Sequence, residues 1–283
     1  MRNHIRKFGR SGGRGRVVHI LALATLVSLA AAVAPAAATT DPGAPCAPCV
    51  IQRATLDESG QPTPEISTEQ MAKIAESQST LVFDARPHEE FGMSHIPGAI
   101  NVGPKPGMKM SQYTSDVAEI DSLTHGDKAR AMVLYCNGPL CGKSKRLAQD
   151  LLKAGYTNVS RYQLGIPVWR ALGHPAQAEA SAIWSALAKD KTAVVIDARE
   201  PEAFRKRTLP NARNVLAPDV AKAKDDGRLP MLDHNTRIFV VGKDEGEARD
   251  AAQEIAHNAF QNVAYYAGSV EELLKSRPRQ TSR

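Results

Sequence analysis

Val82-Phe83-Asp84-Ala85-Arg86 returns 113 positions later as Val195-Ile196-Asp197-Ala198-Arg199, and this recurrence decides the fold. Each run is short, apolar and closed by an acid, the pattern of a buried parallel strand. At the same offset Phe91 matches Phe204, Pro97 matches Pro210, Ala99 matches Ala212, Asn101 matches Asn214 and Val102 matches Val215. So many identities at one fixed offset mark an internal repeat. Further along, Val133 to Tyr135 corresponds to Phe239 to Val241, and Asn158-Val159 to Asn262-Val263, with shorter loops in the second half.

Between these strands lie helical patterns. Ser67-Thr68-Glu69-Gln70 makes a capping box ahead of an apolar stripe at Met71, Ile74 and Ala75. Ala131 to Tyr135 predicts a second buried strand. Lys143 to Ala154 predicts a helix with Leu147, Leu151 and Leu152 on one face and Gly155 at its end. Apolar strands alternating with amphipathic helices indicate an open α/β sheet with helices on both faces. Two copies of that unit fill residues 65–175 and 176–278, and 42% apolar content is enough to give each its own core.

The net charge of +6 invites a nucleic-acid reading, but six of the 36 basic residues lie at Arg2, Arg6, Lys7, Arg10, Arg14 and Arg16. The remaining 30 match the 30 acids, so nucleic acid is not expected as a partner. The basic stretch, the apolar run Val17 to Val33 and Ala36-Ala37-Ala38 read as a secretory signal peptide over 1–38, cut after Ala38. An uncleaved anchor is the alternative, since the run is at the short edge of a bilayer span. After cleavage no stable membrane insertion is expected, and the protein is placed in a periplasmic or secreted compartment. Residues 39–64, rich in Pro, Ala, Thr and Gly, read as a tether carrying Cys46 and Cys49. That pair suits a local disulfide or a redox partner for the catalytic loop; with no second pair at ligand spacing, metal is the weakest option.

Cys136 falls at the C-terminal end of a central strand, where open α/β sheets place their ligands. Asn137-Gly138-Pro139-Leu140-Cys141-Gly142 then leads into a helix beginning near Lys143 or Ser144. Backbone N–H groups at a helix start favour an anion, a thiolate included, and Lys143, Lys145 and Arg146 add positive charge. Such surroundings lower a thiol pKa and raise its nucleophilicity near neutral pH.

Asp84-Ala85-Arg86, Glu90-Phe91, His95-Ile96-Pro97-Gly98-Ala99-Ile100-Asn101, the strand ending in Cys136, Gly165 to Trp169, and Gly173-His174-Pro175 together resemble the rhodanese family. The resemblance covers 65–175 well and 180–278 in weaker form. It implies two tandem domains, each an open, mostly parallel five-stranded sheet, and a sulfurtransferase acting through Cys136. In that mechanism Cys136 attacks the outer sulfur of a small anionic donor such as thiosulfate and holds it as a persulfide. A thiol or cyanide then removes it, with neither cofactor nor metal. Asn137, Gly138, Leu140, Cys141, Gly142, Lys143 and Ser144 would form the substrate-binding loop. Ser144 is read as a helix cap more readily than as a persulfide donor. Asp84 and Arg86 would support the strand end, and Trp169 reads as a core aromatic.

Three departures stand out. Ser144 comes eight positions after Cys136, a long loop for a sulfurtransferase. Related phosphatases also have long loops, but Lys143 lacks the bidentate fork with which arginine clamps phosphate. Cys141 lies five residues from Cys136, so a disulfide, a resolving thiol, or a small buried filler are all open. A dithiol redox or sulfur-relay protein, with a redox partner protein, is therefore the rival function, and a noncatalytic binding module the third. In the second copy Gly242 stands where Cys136 stands in the first, so that domain is expected to be structural, covering one side of the first domain's pocket. Well-known two-domain thiosulfate sulfurtransferases keep the cysteine in their second copy, the reverse of this order.

Overall fold

The computed structural model describes residues 60–105, 107–108 and 116–279. The expected signal peptide and the Cys46/Cys49 pair lie outside the described residues.

The first domain runs α1 (Thr68–Ser77), β1 (Leu81–Asp84), α2 (His88–Met93), β2 (Ile100–Asn101), α3 (Val117–Leu123), β3 (Met132–Tyr135), α4 (Gly142–Lys153), β4 (Val159–Tyr162) and α5 (Gly165–Ala171). The second runs β5 (Ala176–Ala178), α6 (Ala180–Lys189), β6 (Val194–Asp197), α7 (Pro201–Lys206), β7 (Arg213–Asn214), α8 (Val220–Asp225), β8 (Ile238–Gly242), α9 (Glu245–His257), β9 (Val263–Ser269) and α10 (Val270–Lys275). The second sheet has five parallel strands in the order β5-β9-β8-β6-β7, and the first has four in the order β2-β1-β3-β4. The fifth place of the first sheet is reduced to a single parallel bridge from Glu65 to Arg161. Pro64 adjoins it, and a proline has no N–H for a longer ladder. A buried ion pair between the Arg161 and Glu65 side chains, 2.9 Å apart, holds the segment in place instead.

Local chemistry explains the ends of these elements. Ser67 and Gln70 complete the capping box of α1. Gly155, at φ +89°, ends the α4 turn in the left-handed region that glycine enters without strain.

The repeat is exact in register. Asp84 pairs with Asn101 on one side and Tyr135 on the other, and Asp197 likewise with Asn214 and Val241. Arg86 donates to both Asp84 oxygens and to the Ser94 carbonyl, while Asn101 Nδ2 bridges the carbonyls of Asp84 and Arg86. In the second copy Arg199 grips Asp197 and the Arg207 carbonyl, and Asn214 bridges Asp197 and Arg199. Asp84 is 0% exposed and Arg86 3% exposed. Burial pulls the Arg86 guanidinium toward its neutral form, but Asp84 and the neighbouring Tyr135 outweigh it and hold its pKa above the ordinary value.

Each half has a core of its own, around Phe83, Leu134 and Leu147 in the first and Ile196, Val240 and Ile255 in the second. A third cluster is shared: Ile96, Tyr135 and Trp169 belong to one continuous apolar body with Ile183, Phe239 and Val241. Backbone bonds seal the junction, His95 and Gln177 exchanging N–H···O contacts of 2.9 and 2.8 Å and Glu179 N–H reaching Gly92 O at 2.8 Å. The tandem units are thus welded through the strand that opens the second sheet, not strung on a linker.

Removing one partner of a buried pair costs about 3–5 kcal/mol. Asp84→Asn is expected to lower the urea unfolding free energy by about that much, and a loss below about 1 kcal/mol would contradict the clamp. His95, inside the junction and bonded through Nδ1 to Phe91 O, has its pKa pushed down by burial to about 4. An unfolded histidine titrates near 6.5. Stability is therefore full above that pH and falls as the pH drops toward 4, by about 3 kcal/mol at most from this group. Urea unfolding of His95→Asn should show a flatter decline than the parent between those pH values.

Candidate functional site

β3, an inner strand, delivers Cys136 to the carboxyl end of the sheet, where it is 2% exposed. Behind it, Tyr135 lies in the shared core, its hydroxyl accepting from Ile96 N–H at 3.0 Å and its ring 5.7 Å beneath the Arg86 guanidinium. Beside it, Gly165 approaches so closely that a Cβ there would lie 2.3 Å from Cys136 O and 2.5 Å from Gly138 N. With φ at +65° as well, only glycine fits. Ile166 N–H donates to Cys136 O at 3.2 Å, so the strand end is pinned from both sides.

From Cys136 the chain turns outward and returns. Cys141 N–H donates to Gly138 O at 2.9 Å, closing a tight turn that leaves Leu140 fully exposed at its tip. Asn137, also exposed, donates to Glu90 Oε2 in the first turn of α2. α4 then begins at Gly142 with Cys141 as its N-cap, and no side chain caps it. Ser144, expected as the cap, is instead the third helical residue and 2% exposed. The loop is one or two residues shorter than expected, because the helix starts at Gly142 rather than at Lys143 or Ser144. Lys143 is half-buried in the first turn of α4.

The two loop cysteines are joined: the Cys136–Cys141 disulfide spans a Cα separation of 6.4 Å. Cys141 is partly exposed, whereas Cys136 is buried among Ala85, Val102 and Leu147. The nucleophile expected as a thiolate is thus held in oxidised form, and reduction must precede any attack on a donor.

The second copy carries different residues at the same position. Gly242 occupies the place of Cys136 in register, and the chain reaches α9 after only two more residues. There Asp244 caps the helix by accepting from Glu247 N–H, and Glu247 Oε2 takes the Lys243 N–H at 2.7 Å. The cavity of about 450 Å³ beside it is lined by Glu200, Asp244, Glu247 and Asp250 together with Lys243, four carboxylates against one ammonium. Carboxylates already satisfy this helix start and repel another anion. In the first copy the cap is a cysteine that makes no such bond, so no side chain caps the first-turn N–H groups.

Trp169 is 3% exposed, donates to Pro175 O at 3.1 Å and stacks on His174; it is a core residue. Among the described residues no group of three or more His, Cys, Asp and Glu side chains is placed to hold a metal, and no helix is long and apolar enough to cross a membrane. Sequence reading named Gly165 only as the start of the Gly165 to Trp169 segment that carries the resemblance, not as a residue packed against the loop, because a glycine opening a helix is visible yet common.

Both loop cysteines fall within one tryptic peptide, residues 131–143. Digestion without reductant is expected to release it two hydrogens lighter than after reduction. Alkylation of the unreduced protein at Cys136 would contradict the disulfide.

The rhodanese-like domain model matches residues 67–172 and 179–276. The HTH-type transcriptional regulator Rv0324 of Mycobacterium tuberculosis is 31% identical over 122 residues, covering 43% of this chain and 48% of that protein. The chain thus spans about half the length of that curated relative. Among solved structures, similarity extends to thiosulfate sulfurtransferase from Pseudomonas aeruginosa (19% identity, 82% of this chain and 48% of that one, TM-score 0.34). It also extends to the BH2092 protein from Bacillus halodurans (21% identity, 40% and 76%, TM-score 0.33). With the family model matching both copies, the chain belongs to the rhodanese-like family.

Proposed function

We propose that the protein is a sulfurtransferase of the space outside the cytoplasm, in which reduced Cys136 takes sulfane sulfur from a small anionic donor and passes it to a thiol or cyanide. The observation that carries this reading is the contrast between the two helix starts. One is sealed by Asp244 and Glu247; the other is capped only by Cys141, beside the one strand-end cysteine that the repeat keeps. An anionic donor finds N–H groups and Lys143 there, and the persulfide it leaves finds the same groups. Membership of the rhodanese-like family supports the chemistry, and Ala36-Ala37-Ala38 supports export with cleavage before Thr39.

The mechanism begins with a dithiol state. Cys136 thiolate attacks the outer sulfur of thiosulfate, the S–S bond breaks and sulfite leaves. Cyanide or a thiolate then attacks the outer persulfide sulfur and regenerates Cys136. Gly138 and Gly165 hold the strand end and loop close together while this occurs. The disulfide favours a second reading as well, a dithiol redox protein in which sulfur is not carried at all.

The test is mass spectrometry of the reduced full-length protein after thiosulfate. One added sulfur on Cys136, absent in Cys136→Ser, is expected. Reversible thiol oxidation with no sulfur adduct from any sulfane donor would instead favour the redox reading. Lys143→Ala is expected to raise KM for thiosulfate roughly tenfold, the loss of one charge-assisted contact, with kcat little changed.

A further inference from the structure

We infer that Cys141 is a resolving residue: it displaces the sulfur carried by Cys136 as hydrosulfide and closes the Cys136–Cys141 disulfide, giving the site a sulfur-reducing activity besides transfer. This rests on the proposal that Cys136 carries a persulfide. The observation beneath it is that the two sulfurs already meet, bonded, with the strand end, the 138–141 turn and the first turn of α4 all in regular geometry. A thiol that can bond Cys136 Sγ in the folded loop can also attack that sulfur when it bears a second one.

Cys136 persulfide anion and Cys141 thiol give the Cys136–Cys141 disulfide and HS⁻. The bond between Cys136 Sγ and the carried sulfur breaks, the bond between the two Sγ atoms forms, and the Cys141 proton leaves on the hydrosulfide. Two cysteine sulfurs are oxidised by one electron each, and the sulfane sulfur takes up both. A dithiol protein then restores the pair by thiol–disulfide exchange. It enters at Cys141, the partly exposed sulfur, because Cys136 is 2% exposed, and Cys136 departs as thiolate toward the uncapped start of α4.

The experiment is a single turnover of the full chain, reduced, freed of reductant under anaerobic conditions and given one equivalent of thiosulfate. It is run on the parent and on Cys46→Ser/Cys49→Ser, so that the tether cysteines cannot supply the electrons. Expected are equal amounts of sulfite and hydrosulfide, with peptide 131–143 recovered as disulfide. Cys141→Ser should still release sulfite and hold the sulfur on Cys136, with hydrosulfide lowered at least about tenfold. Sulfite release with a stable Cys136 persulfide in the parent overturns the inference alone. So does transfer of the sulfur to Cys141, or hydrosulfide that depends on Cys46 and Cys49. No sulfite from any variant overturns the sulfurtransferase reading beneath it. A single-cysteine form of a thioredoxin-like dithiol protein, added to the oxidised chain, should be trapped on Cys141; attachment to Cys136 counts against the direction of entry.

Discussion

The buried ion pair of Asp84 and Arg86 governs the geometry of everything around it. Two charges taken out of water are tolerated only when every lone pair and proton finds a partner. Here the search for partners recruits Ser94 O, and Asn101 ties down the backbone at both residues of the pair. The 94–101 segment is thereby fixed across the ends of β1 and β3. That segment is the same one that exchanges backbone bonds with Gln177, so the clamp that shapes one domain's strand ends also sets where the next domain begins.

On this frame the two halves differ by what stands at the start of one helix. Asp244 and Glu247 in the second copy make an internally satisfied cap. Cys141 in the first leaves the N–H groups unclaimed by side chains but closes on Cys136 when oxidised. The same residue therefore both opens the helix without a side-chain cap and holds Cys136 in a disulfide, which couples the loop to the thiol–disulfide balance of its surroundings.

Periodicity and repetition made the fold readable. Short apolar runs ending in Asp84 and Asp197 named the central strands, the capping box at Ser67 named a helix start, and the 113-residue offset named the tandem architecture. The loop was readable in composition but not in shape. Ser144 looked like a cap because serine favours that position, yet the 138–141 turn brings Cys141 there first. Backbone turns are set by several residues jointly, here Gly138 and the close approach of Gly165, which no single propensity reveals. The weakened fifth strand was likewise hidden, since its loss depends on Pro64 standing next to the Glu65–Arg161 bridge, where the ladder would need its N–H. The shared core was hidden for a different reason: apolar residues on a helix or strand do not declare which neighbour they will meet.

The Asp-x-Arg clamp stands in both copies, whereas the strand-end cysteine stands in one. An unpaired buried charge would unravel the strand ends in either half, so the clamp belongs to folding. The residue that opens the helix after the third strand is not bound by that constraint, and it differs between the halves. Counting clamp signatures along a chain of this kind therefore counts folded units, while the character of each strand end is written in the residue that opens the next helix.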